Sequence, residues 1–252
     1  MTTLDSFARE QALQQLDRMV KRSKRAKQVP FAKEFLQSPS GSPPLSQLIQ
    51  GGRGGEVRLK LYLTITMIAT RAPHELNSPS PGWWAQLIGV TGKTPSRRVA
   101  TGLRWLAQHD FIRLTPRVGN YPVITLLDPA LSKEPYVRPL ANGSRYISLP
   151  LEIWTQGWIL DLSATELALL MVLLDIQQGK DQARYATGYD RVAYGLSPDT
   201  WTRATKTLAE RGLLRVRRVP QGGEFDYRRM RNVYRVNRER LTQPPVLDDQ
   251  HP

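Results

Sequence analysis

The 252-residue sequence predicts a mainly α fold with small β-wings: two similar units in tandem, preceded by an N-terminal basic helix. Three observations predict it. The same order of apolar segments and turn signals occurs twice, with corresponding positions 102 to 106 residues apart: Leu61 with Leu167, Gly89-Val90 with Gly195-Leu196, Leu106-Ala107 with Leu208-Ala209, Phe111-Ile112 with Leu213-Leu214. Retained order with weak identity points to an internal duplication. In each copy a Thr-Pro or Ser-Pro pair opens an amphipathic segment, and two β-prone segments around a polar turn follow it.

The elements follow in chain order. Leu4, Phe7, Leu13, Leu16 and Val20 recur at helical spacing, and Arg18, Lys21, Arg22, Lys24, Arg25 and Lys27 have no acid among them, so residues 1–36 read as a helix ending in a basic arm. Residues 37–55 contain Ser38-Pro39-Ser40-Gly41-Ser42-Pro43-Pro44 and Gly51-Gly52-Arg53-Gly54-Gly55, the composition of a flexible linker. The first unit spans 56–127. Its opening segment alternates Val57, Leu59, Leu61, Leu63, Ile65 and Met67 with polar or amphipathic residues, a strand-like pattern. Its counterpart opens on the capping box Ser163-Ala164-Thr165-Glu166 and continues with Leu167, Leu170, Met171 and Leu174 at helical spacing, so both read as helices. Residues 128–145, with Pro129, Pro135, Pro139 and Asn142-Gly143, read as an inter-domain linker; 146–241 form the second unit and 242–252 a tail.

Within each unit the order is short helix, turn, capped helix, β-hairpin, which is the order of a winged helix-turn-helix. Thr94 and Ser197 are placed to cap the third helix, with Pro95 and Pro198 at its first position, where no backbone donor is needed. Val99, Leu103 and Leu106 form the inward stripe of the first such helix, leaving Arg97, Thr101, Arg104 and Gln108 outside. Trp201, Ala204 or Thr205, and Leu208 do the same in the second, leaving Thr202, Arg203 and Lys206 outside. No acid occurs from Leu76 to His109, so phosphates near that stretch meet no local repulsion. The first wing, Ile112 to Leu127, turns at Gly119-Asn120 and carries Arg113 and Arg117. The second, Arg215 to Arg240, holds nine arginines against Glu224, Asp226 and Glu239, turns at Gln221-Gly222-Gly223, and is expected to grip more strongly. The DNA-binding candidates are therefore Lys93, Arg97, Arg98, Thr101, Arg104 and Arg117 in the first unit. In the second they are Thr202, Arg203, Lys206, Arg217, Arg218, Arg228, Arg229 and Arg231. Base reading falls to Arg97, Arg104, Arg203 and Lys206, and phosphate contact to Arg228, Arg229 and Arg231. The N-terminal arm either follows the DNA backbone or serves as a solvated helix. The tryptophans Trp83, Trp84, Trp105, Trp154, Trp158 and Trp201 read as packing residues rather than base-stacking platforms.

Composition sets the partner class. With 36 Lys+Arg against 22 Asp+Glu the net charge is +14, which favours a polyanionic partner, and 27 Arg to 9 Lys favours bidentate contact with phosphate and guanine. There is no cysteine, which removes disulfides, thiolate metal sites and cysteine nucleophiles. Ile88-Gly89-Val90-Thr91-Gly92-Lys93-Thr94 fails the phosphate-loop pattern because Leu87 stands where its first glycine belongs. His74, His109 and His251 lack metal-ligand spacing, and Asp175, Asp181 and Asp190 sit in no nuclease signature, so the reading is non-enzymatic, with no metal and no cofactor. The longest apolar run, Leu167 to Leu174, is eight residues, and no signal-peptide core follows Met1, so a cytoplasmic, nucleoid-associated protein without membrane contact is expected.

The organisation across residues 56–241 resembles the tandem winged-helix proteins, a class that includes transcription regulators and plasmid replication initiators. The resemblance is architectural. It implies sequence-specific binding of double-stranded DNA as a transcriptional regulator; the alternative is a plasmid or mobile-element replication initiator that binds origin repeats and recruits host replication proteins. A third possibility is a non-catalytic protein-interaction module.

Overall fold

A computed structural model describes residues 4–39, 41–51, 53–139, 145–221 and 230–246. The fold is mixed α/β rather than mainly α, about half helical, with three small antiparallel sheets among the described residues. No helix there is long and apolar enough to cross a membrane.

Two buried helices lie side by side at the centre: α4 (Arg53–Ile68) and α9 (Ala164–Gln177). Helix α4 overrides its own strand-like alternation because it is buried on almost every side. The polar residues of the alternation are inside, each with a partner. Lys60 Nζ donates to Glu56 Oε1 at 2.8 Å and to the Leu160 carbonyl at 3.1 Å. Thr64 Oγ1 accepts from Trp154 Nε1 at 3.1 Å, and Thr66 Oγ1 donates to the Tyr62 carbonyl at 2.9 Å. Helix α9 starts on the expected capping box, with Ser163 and Glu166 exchanging side-chain and backbone bonds.

Each central helix begins the same succession. After α4 come β2 (Glu75–Asn77), α5 (Pro81–Leu87), α6 (Pro95–Gln108), β3 (Ile112–Arg117) and β4 (Asn120–Leu126), with sheet order β2-β4-β3. After α9 come β6 (Arg184–Tyr185), α10 (Gly188–Ala193), α11 (Pro198–Glu210), β7 (Leu214–Pro220) and β8 (Met230–Val236), with sheet order β6-β8-β7. Val99, Leu103 and Leu106 are buried on α6, as are Trp201, Ala204 and Leu208 on α11. Ser197 caps α11 through the amide of Thr200, whereas Thr94 makes no side-chain cap on α6; Pro95 and Pro198 occupy the first helical turn. The first hairpin turns at Val118-Gly119, with Asn120 already paired to Arg117, one position earlier than expected. Gly119 takes the left-handed conformation that the turn needs, at φ +67°. Of the turn expected at Gln221-Gly222-Gly223, only Gln221 lies within the described residues.

The N-terminal segment and the supposed linkers differ from expectation. Helix α1 (Ser6–Ser23) buries Ala12, Leu16 and Val20, while Phe7, expected on its apolar face, is 69% exposed. Arg9 and Asp161 form a two-point ion pair at 2.8 and 2.5 Å that fastens α1 to α8 (Trp158–Asp161), which follows the short α7 (Glu152–Thr155). Strand β1 (Gln28–Ala32) pairs antiparallel with β5 (Tyr146–Pro150), Val29 opposite Leu149 and Phe31 opposite Ile147. Helix α2 (Lys33–Leu36) buries Phe35 and Leu36. The stretch read as a flexible linker contains α3 (Pro44–Ile49), whose Leu45 and Leu48 are fully buried against α4 and α9. In the 128–145 stretch Leu127 bridges Pro135 and Tyr136 is buried. One hydrophobic core runs from Ala12 to Leu241, closed at its far end by α12 (Arg238–Leu241), whose Leu241 carbonyl accepts from Trp158 Nε1 at 3.0 Å. Neither an isolated arm nor a free linker is compatible with that continuity. The composition misled because, among the described residues, Pro43 and Pro44 start the packed helix α3 and Gly41 and Gly51 take tight left-handed turns beside it; Ser40, Gly52 and Asn142-Gly143 lie outside the described residues.

Candidate nucleic-acid interface

With the inward stripe of α6 in the core, the helix turns Arg97, Thr101, Arg104 and Gln108 outward at one-turn intervals, all four exposed. Arg97 makes no ion pair or hydrogen bond among the described residues, and Arg104 makes only a long contact, 3.4 Å, to the Ala100 carbonyl of its own helix. Lys93 is exposed just before the helix. Arg98 is half-buried and spends a donor on the Thr91 carbonyl at 3.0 Å, so it holds the turn that leads into α6.

A cleft of about 330 Å³ runs along this face between α6 and the start of α4, lined by Arg58, Arg97, Arg98 and Thr101. Arg58 was not anticipated. Its guanidinium lies 4.0 Å from the Trp105 ring centroid and donates to the Gln50 carbonyl, while its Nε has no partner. Burial pulls its pKa down from the usual arginine value. The signal in the sequence is Gly102. A lone glycine inside an amphipathic helix marks close approach, and a Cβ there would stand 3.1 Å from Leu61 and 3.2 Å from Val57 of α4. Trp105 has Arg58 on its ring and His109 stacked at 3.8 Å, so both faces are occupied and base stacking is closed to it. Trp84, Trp154, Trp158 and Trp201 are buried.

The second unit presents a different charge pattern. Thr202, Arg203 and Lys206 are exposed on α11, but Arg203 pairs with Asp199 at 2.6 Å and Lys206 with Glu210 at 3.9 Å. Thr202 Oγ1 donates back to the Pro198 carbonyl at 2.8 Å. The two cations therefore each carry a counterion on the same helix, unlike those of α6.

The hairpins differ as well. Arg113 and Arg117 are exposed on the first, and Arg117 donates to Asn77 Oδ1 at 3.0 Å. On the second, Arg215, Arg217 and Arg218 are exposed on β7. Arg235 forms a two-point pair with Asp181 at 2.9 and 2.5 Å, and Arg231 stacks over Tyr185 at 3.8 Å. Arg240 covers Trp158 at 4.8 Å. Arg228 and Arg229 lie outside the described residues. Of the basic arm, Arg25 is spent on the carbonyls of Thr66 and Met67 at the end of α4, its pKa lowered to about 10 by burial and by nearby Arg138. Lys21 pairs with Asp17 at 2.6 Å, leaving Arg18, Arg22, Lys24 and Lys27 exposed.

No protein-family model matches the chain, and no curated protein matches it.

Proposed function

We propose that the protein is a sequence-specific double-stranded DNA-binding protein whose two similar units are winged helix-turn-helix units in tandem, acting as a transcriptional regulator. The observation that carries this reading is the acid-free outer face of α6. Arg97, Thr101 and Arg104 stand exposed at helical intervals on a helix 14 residues long, with Lys93 and Arg58 beside them and no carboxylate to compete with phosphate. The repeated order of helix, strand, helix, helix and hairpin, with the first strand pairing beside the last, supports the assignment of both units. In this reading α6 is the principal reader, because its cations enter a groove without first losing an ionic partner. Helix α11 must give up two. Arg215, Arg217 and Arg218 supply phosphate contacts from the second hairpin.

A replication initiator at origin repeats is the second reading. The shared core favours it by fixing two unequal units in one orientation, which suits a directional, non-palindromic site read by one chain. In either role the DNA-bound protein works with host transcription or replication proteins.

Fluorescence anisotropy with a selected duplex over a salt series tests the proposal. Wild-type binding should weaken steeply with salt. Arg97→Ala and Arg104→Ala should each cost about 1–3 kcal/mol and relax the preferred sequence at particular positions. Arg217→Ala should weaken all sequences alike and flatten the slope of log K by about 1. Absence of duplex binding at low salt, or α6 variants indistinguishable from wild type, overturns the reading. Maintenance of an origin-bearing plasmid by the protein separates initiator from regulator.

A further inference from the structure

A second cavity, of about 830 Å³, lies away from the α6 face, where α2, β5, the end of α9, β6 and α10 meet. Its size falls in the range of small-molecule sites. Three cations border it: Lys33, Arg145 and Arg184. None of the three has a side-chain partner among the described residues. The two carboxylates of the wall are held in place by neutral donors, which do not cancel their charge, so the cations outnumber them by one. Asp175 Oδ2 accepts from Tyr194 Oη at 2.6 Å and from Gln37 Nε2 at 3.1 Å; Asp190 Oδ2 accepts from the amide and hydroxyl of Thr187 at 2.8 and 2.7 Å. Tyr146 and Tyr185 also border the cavity, 40% and 44% exposed, and Arg231 leaves only one face of the Tyr185 ring covered.

Helix α10 forms one wall, and it is weakly held. It contains no buried residue, whereas its counterpart α5 buries Trp84, Ala85 and Leu87. It is held by the buried Tyr194 at its end, tied to Asp175, by the amide of Ser38, which donates to the Ala193 carbonyl at 3.0 Å, by Arg191 lying 5.9 Å from the Trp201 ring centroid, and by Val192 against Gly41. An element with so few apolar contacts opens locally at low cost. Whatever fills the cavity therefore restrains α10, and through the Gly195 turn also the start of α11.

We propose that this cavity binds a nucleotide, its phosphates met by Lys33, Arg145 and Arg184 and its base stacked on a tyrosine, and that binding fixes α10 and alters duplex affinity of the second unit. The cations supply charge-assisted bonds to phosphate, and the exposed ring faces supply stacking. The effect on DNA rests on the proposed function; nucleotide binding does not.

Calorimetry and thermal unfolding of the full chain with ATP, GTP, AMP, inorganic phosphate and adenosine test this. At least one nucleotide should bind saturably and raise the Tm, more tightly than phosphate or adenosine. Arg145→Ala and Arg184→Ala, both exposed, should unfold like wild type without ligand and weaken nucleotide binding by about tenfold each. No saturable binding by any of the three nucleotides, or binding unchanged in both variants, overturns the site. Duplex affinity is measured on the same samples with and without nucleotide. An unchanged duplex affinity beside saturable nucleotide binding overturns the coupling alone, and absence of duplex binding both with and without nucleotide overturns the DNA reading while leaving the nucleotide result intact.

Discussion

Asp199 stands one turn before Arg203 on α11, and the two exposed side chains close a double contact at 3.0 and 2.6 Å. An exposed pair of this kind contributes about 0–1 kcal/mol to folding, so its structural value is small. Its electrostatic consequence for a polyanion is larger, because any phosphate approaching Arg203 also approaches a carboxylate. Asp199 further sits in the first turn of its helix, where a negative charge is favourable by about 0.3–1 kcal/mol. Asp199→Asn should therefore lower stability slightly while tightening duplex binding at low salt, with the slope of log K against log salt steeper by about 1. Anisotropy titration at several salt concentrations checks it. Affinity and slope unchanged in the variant would place α11 away from the duplex and leave DNA contact to α6 and the hairpins.

At the scale of elements, Gly195 shows how closely the second unit is pressed against the chain before the first. It adopts φ +63° between α10 and α11, and a Cβ there would stand 2.6 Å from the Gly41 carbonyl oxygen and 2.7 Å from Ser46 Oγ. Gly119 has a similar φ, +67°, with nothing within 4 Å of the same position. Gly119→Ala should cost about 1–2 kcal/mol for conformation alone, and Gly195→Ala about 2–4 kcal/mol because backbone must also move. Thermal unfolding of the two variants side by side measures the difference; equal losses would mean that the contact with residues 41–46 is loose.

The same scale explains what the sequence made legible. Helices α6 and α11 could be read because each keeps one face in water and starts at a proline. Helix α4 could be assigned only through its duplicate, since burial all round erases the period and Lys60, Thr64 and Thr66 find partners that no local pattern announces. Strands β2 and β6, three and two residues long, are too short to give a pattern. Helix α3 offered only Leu45 and Leu48 amid Pro, Gly and Ser, and its burial depends on residues more than 100 positions away in α9. At the site, the outward residues of α6 followed from the period alone. The four-residue spacing of Arg203 from Asp199 and of Lys206 from Glu210 stands in the sequence, but reading α11 by its outward cations alone passed over it; Arg58 and the ring contact of Arg231 required the tertiary fold.

At the scale of the whole molecule, the N-terminal segment is a shared wall of both units. Helix α1 packs on α4, α5 and α7; β1 completes the sheet with β5; α2 touches α9. Leu16, Val29, Phe35 and Leu36 are wholly buried there, and Phe31 is 3% exposed. Each such side chain contributes about 1.5–3 kcal/mol by burial, together about 8–15 kcal/mol, comparable to the entire stability of a typical protein. The loss of Arg25 also uncaps two carbonyls at the end of α4, and the loss of β1 strips β5 of its hydrogen-bonded neighbour. Removing residues 1–36 should therefore prevent folding, rather than release two competent units from a dispensable arm. Replacing Arg18, Arg22, Lys24 and Lys27 by Gln is the informative companion, because these side chains are exposed and the change leaves the buried face intact. That variant should unfold near the wild-type Tm, and its salt slope reports whether the basic surface of α1 meets DNA. Circular dichroism and a thermal scan on residues 37–252 decide the first point: a cooperative transition with the helix content that these residues have in the full chain would mean that the two units stand without their shared wall.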